Sequence, residues 1–107
     1  MSGSTVGESS SPVEWSTVSV LRLSEERAAA GYLAARKALV AAGTRVVSLG
    51  RLVAEHPGRA DYREAWFAAR AAQTAALDRV EIAYGRWQRA QLRTDAAWTA
   101  TSGRAAA

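Results

Sequence analysis

Apolar residues in this chain recur at every third or fourth position, not at every second. The run Tyr32, Ala35, Leu39, Ala42, Val46, Leu49 and Val53 alternates steps of four and three, which keeps one narrow apolar stripe on one side of a helix. A second run, Tyr62, Trp66, Ala69, Gln73, Leu77, Val80, Tyr84 and Trp87, again advances by threes and fours. Between the two stand His56, Pro57 and Gly58, where Pro cannot continue a helix and Gly favours a turn. A connection this short makes the helices antiparallel. It pairs Val53 with Tyr62, Leu49 with Trp66, Leu39 with Leu77 and Tyr32 with Tyr84, and brings Ala42 level with Gln73.

Capping residues suggest where the helices begin. Ser11, Pro12 and Glu14 form one start signal, and Ser24 with Glu25 and Glu26 forms another. The stretch between is mixed. Thr17, Val18 and Val20 favour a strand, whereas Val13, Ser16, Val20 and Leu23 share a helical stripe and no second strand is available to pair with. The pattern therefore predicts helices over about 12–23, 25–55 and 61–96, the last capped by Asp61 with Glu64 three residues on. Residues 1–11, rich in Ser and Gly, read as a disordered tail, and 99–107 as a frayed end. Gly43 and Gly50, one heptad apart beside the first stripe, point to close approach of another backbone or, at Gly43-Thr44, to a kink.

The expected fold is all-α: a coiled-coil-like antiparallel two-helix hairpin over 12–98 with a short accessory N-terminal helix, forming part of an oligomeric bundle. Helices of about 30 residues make a rod roughly 45 Å long. One stripe per helix leaves apolar residues on the flanks, among them Leu33, Val40, Val47 and Leu52 on the first helix and Phe67, Ile82 and Leu92 on the second. Exposed surface of this kind marks association. Leu33, Val40, Val47, Phe67 and Ile82 are partner-contact candidates, with Trp15 and Trp98 as anchors at the edges of the ordered region. Gln73 is the one polar residue at the centre of a seam, where an amide fixes register or oligomer state.

Composition sharpens this picture in three ways. Of the 107 residues 49% are hydrophobic, but many are Ala, so a single chain has a thin core and a partner or a second copy is expected. Fourteen Lys and Arg against ten Asp and Glu give a net charge of +4, and all the cations but Lys37 are Arg. Arg79, Arg86 and Arg93 repeat at seven-residue spacing beside Arg89, and in the hairpin Arg36 and Lys37 come to the same level. A stripe of this kind can follow a phosphate backbone, which makes nucleic acid the alternative partner, although Asp78, Glu81 and Asp95 dilute it and a solvated face is the plainer account. The absence of Cys removes disulfides, thiolate metal sites and thiol nucleophiles.

Candidate chemistry is sparse. His56 is the only His, sits in the turn and has no acid or Cys spaced to share a metal. The acids mostly serve helix starts, no Gly-rich phosphate loop occurs, and no catalytic residue, cofactor or small-molecule substrate is expected. Arg36, Lys37, Arg45 and Arg51 interrupt the most apolar region, so no membrane span is expected, and without an export signal the protein reads as cytoplasmic. No motif ties the chain to a known family.

Overall fold

The computed structural model describes the backbone of residues 10–106 and the side chains of residues 17–103. Two helices make up these residues: α1 (Ser10–Glu55) and α2 (Ala60–Ala106), packed antiparallel against each other. The expected tail over 1–11 falls outside the described residues up to Ser9, and Ser10 and Ser11 are already helical.

The accessory N-terminal helix is not a separate element. α1 runs unbroken through Leu23 and Ser24, because the seam continues in phase: Val18, Leu21, Glu25 and Ala28, apolar but for Glu25, precede Tyr32 in steps of three and four. No Pro or Gly interrupts that stretch, so the capping residues around Ser24 have no helix end to cap. Val18 is buried, and its level on the hairpin is that of the C-terminal end of α2. α2 likewise extends beyond Thr99, remaining helical to Ala106 alongside the N-terminal part of α1. The rod is therefore longer than expected, with extents of 79 × 31 × 13 Å.

Register is fixed along its length. Tyr32 meets Tyr84 with ring centroids 5.3 Å apart, Gly43 faces Gln73 and Gly50 faces Trp66. An eleven-residue step from Tyr32 to Gly43 is thus matched by an eleven-residue step from Tyr84 back to Gln73. The seam of α2 differs from expectation in its middle. Ala69, Ala76 and Ala90 are buried and Ala83 is half-buried, whereas Leu77 and Tyr84 are 46% and 42% exposed. A strict alternation through 69, 73, 76, 80, 83, 87 and 90 puts Ala at every seventh position of α2, and by this register Ala76 and Ala83 lie level with Val40 and Leu33, between Leu39 and Ala42 and between Tyr32 and Ala35 of the α1 seam. Small side chains on α2 leave room for the larger α1 seam residues Tyr32 and Leu39, and Leu77 and Tyr84 are displaced one residue round the helix.

One seam buries little. Among the described residues no large side chain is fully buried, and the radius of gyration of 23.7 Å is nearly twice the about 13 Å of a compact chain of this length.

The corner is built differently from the sequence expectation as well. The His56 N–H donates to the Leu52 carbonyl at 2.9 Å, and the Arg59 N–H donates to His56 at 3.0 Å across Pro57 and Gly58. No glycine among the described residues has positive φ, so Gly58 is not needed for a left-handed turn; Pro57 sets φ at the second position instead. Helix α2 starts at Ala60, so Asp61 lies inside its first turn rather than capping it.

Candidate association face and basic face

Because the hairpin has one seam, each helix carries a second stripe one residue after its seam positions and a third one residue before. In an antiparallel pair the two "after" stripes open on one side of the rod and the two "before" stripes on the other.

The first side is apolar. On α1 it reads Leu33, Arg36, Val40, Gly43, Val47 and Gly50; on α2 it reads Phe67, Arg70, Thr74, Leu77, Glu81 and Tyr84. Val40 is 70% exposed, Phe67 61%, and Leu33 and Val47 more than half. Leu39, Gln73, Thr74 and Leu77 line a shallow depression on this side. Tyr84 lies against Tyr32 and Trp87 at one end, and Trp66 against Phe67 at the other. Arg70 lies over the Trp66 ring at 5.0 Å and Arg36 over Tyr32 at 5.7 Å. The two glycines expected to admit another backbone meet side chains instead. A Cβ at Gly43 would lie 3.5 Å from Gln73 Nε2 and one at Gly50 3.4 Å from Trp66 Nε1, both ordinary contacts. α1 remains helical through Gly43, and the Thr44 hydroxyl donates to the Val40 carbonyl at 3.1 Å.

The opposite side is basic. Arg27, Arg79 and Arg86 line an open cleft of about 450 Å³ whose apolar surface comes from Ala28, Gly31, Ala35, Ile82 and Ala83. Arg45, Arg89 and Arg93 lie on the same stripes. No acid occupies them between Val20 and Leu52 on α1 or between Ala65 and Ala96 on α2. Asp78, Glu81 and Asp95, which dilute the Arg run when α2 is read as a line, fall on other faces. Two expected members of the patch are elsewhere: Arg36 and Lys37 line a separate depression with Leu33, Val40 and Ala41. Ile82 belongs to the basic cleft, away from Leu33, Val40, Val47 and Phe67. Arg27 lies before the Tyr32–Val53 stripe, so the spacing of that stripe does not point to it.

The remaining candidates are placed as follows. Tyr32, Leu39, Val46, Leu49 and Val53 on α1, and Trp66, Gln73, Val80 and Trp87 on α2, are half-buried along the seam. Trp98 is 43% exposed near the open end, with Arg22 over its ring at 5.6 Å. The side chain of Trp15 lies outside those described.

The corner gathers Arg59, Asp61, Tyr62 and Arg63 around His56 and Pro57. Arg59 donates to both Asp61 oxygens at 2.9 and 2.7 Å and lies over the Tyr62 ring at 4.2 Å, while Arg63 donates to the Pro57 carbonyl. The hydrogen bond from Arg59 is the main cause holding the Asp61 carboxyl below its ordinary range. Among the described residues no group of three His, Cys, Asp or Glu converges on a metal-sized site, and no helix is long and apolar enough to cross a membrane. Comparison with protein-family models, curated proteins and solved structures found no match.

Proposed function

We propose that this protein is a non-enzymatic structural or adaptor subunit of the cytoplasm that works by helix–helix association, with copies of itself or within a larger complex. The observation that carries this reading is the face bearing Leu33, Val40, Val47, Phe67 and Leu77, which the hairpin's single seam leaves uncovered. These side chains are already about half covered, so burying the rest of each is worth about 1–2 kcal/mol, and a rod with a thin core gains much of its stability from whatever covers that face. The test is light scattering of the purified chain in low and high salt, alongside Val40→Asp/Val47→Asp. Association that survives high salt and is lost in the double variant supports the reading. A chain that stays monomeric, and that is recovered from its source bound to no other protein, overturns it.

A second reading has its own observation. The acid-free face holding Arg27, Arg79, Arg86, Arg89 and Arg93 is suited to a phosphate backbone, each contact releasing counterions. A gel shift at low salt that disappears as salt rises, and that weakens in Arg79→Gln/Arg86→Gln, supports it. No shift at low salt removes it.

A further inference from the structure

The apolar face is self-complementary about one point. Along α2 the residues Phe67, Arg70, Thr74, Leu77, Glu81 and Tyr84 advance in steps of three and four, and they read outward from midway between Thr74 and Leu77 as matched pairs. Thr74 is balanced by Leu77, Arg70 by Glu81 and Phe67 by Tyr84. Along α1, Val40 lies at the same level of the hairpin, and Leu33 and Val47 stand seven residues to either side of it. A two-fold axis across the rod at this level reverses the direction of each helix and sets it against its own copy.

We infer that the partner of this face is a second copy of this chain, forming an antiparallel four-helix bundle in which Arg70 of each chain meets Glu81 of the other. This deepens the association reading and rests on it. In this arrangement Phe67 packs on Tyr84 and Leu33 on Val47 across the axis, while Val40 and Leu77 surround it. Charge complementarity is the discriminating feature: the two charges on this stretch of α2 are opposite in sign and equidistant from the same point that relates the apolar pairs. Isologous contacts require this kind of matching. The axis lies nearer the corner than the open end, so the two rods overlap over about the corner two-thirds of each. About 30 residues of overlap, roughly 45 Å, across two helix widths of about 10 Å gives about 900 Å² per partner, the size of a standard stable interface. The basic faces then point outward on opposite sides of the dimer.

The test uses the full chain and two single charge reversals, Glu81→Arg and Arg70→Glu. Both sites are exposed helix positions and both residue types are good helix formers, so circular dichroism is expected to show an unchanged hairpin. By symmetry each variant alone places two like-charged pairs across the axis, weakening its homodimer about tenfold or more in sedimentation equilibrium at low salt. An equimolar mixture restores both pairs, so mixed dimers dominate in native mass spectrometry and the double variant dimerises like the parent. A dimer that is indifferent to both reversals overturns this arrangement while leaving association standing. A parent chain that is monomeric at several hundred micromolar overturns the second copy as partner, and the association reading then rests on the complex recovered from its source.

Discussion

The placement of the α2 seam on Ala76 rather than Leu77 makes the pair Ala76→Leu and Leu77→Ala an informative perturbation. Ala76 is 4% exposed and sits between the levels of Leu39 and Ala42 on α1, so three added carbons have no space to enter. Overpacking of this kind costs about 1–3 kcal/mol. Leu77 is 46% exposed and removing it leaves no enclosed cavity. About half of the roughly 1.5–3 kcal/mol for burying a Leu is then at stake, partly offset by the better helix propensity of Ala, so a loss of about 1 kcal/mol or less follows. If Leu77 instead held the seam, its truncation would cost about 2–5 kcal/mol and the Ala76 change would be nearly silent. Urea unfolding followed by helical circular dichroism measures both. Low and high protein concentration separate the hairpin from any dimer, because a Leu77 contribution to association grows with concentration. A larger loss from Leu77→Ala than from Ala76→Leu at low concentration would refute the seam described above.

Three further outcomes are expected. Gly31→Ala places a methyl where nothing lies within 4 Å, so helix propensity alone acts and the chain gains about 1 kcal/mol; a lower melting temperature would contradict an open site there. Gln73→Leu replaces a half-buried seam amide that makes no hydrogen bond among the described residues, and it raises the melting temperature while broadening the distribution of oligomers; lower stability with an unchanged oligomer would contradict this. Because the folded pKa of Asp61 is depressed, the Arg59 pair contributes above the ordinary carboxylate range and its contribution is lost as pH falls through the folded value. Both groups are solvent-exposed, so the direct readout is carboxyl NMR: Arg59→Gln moves the Asp61 midpoint upward, and an unmoved midpoint removes the pair.

The hairpin was legible in the sequence because its two determinants are local: a three-four apolar period on each side and a Pro that no helix interior tolerates. The α2 seam is less legible, because the large Leu77 and Tyr84 stand one residue beyond the small Ala76 and Ala83 that occupy it. Passing from Ala69 to Gln73 to Leu77 takes two four-residue steps in a row, and that irregularity is the signal that the stripe had slipped from Ala76. The phase of Val18 and Leu21, which carries α1 through Ser24, is obscured by the polar Glu25 and small Ala28 between them and Tyr32. Capping residues were informative about propensity but not about where a helix ends, since Ser24 and Asp61 both lie inside helices. Arg79 and Arg86 could be read as a stripe from spacing. Their companion Arg27, and the removal of Arg36 and Lys37 to another face, depend on which side of the seam each residue falls and so follow only once the register is fixed.

The most direct measurement of the central claim, that one seam builds a long hairpin whose outer face takes a partner, is small-angle X-ray scattering across a concentration series. The expected result is a dilute species with the mass of one chain and a radius of gyration near 23.7 Å, passing to the mass of two chains with a longer, thicker rod as concentration rises. A particle of one-chain mass at every concentration, with a radius near the about 13 Å of a closed globule, would contradict both the single seam and the open face.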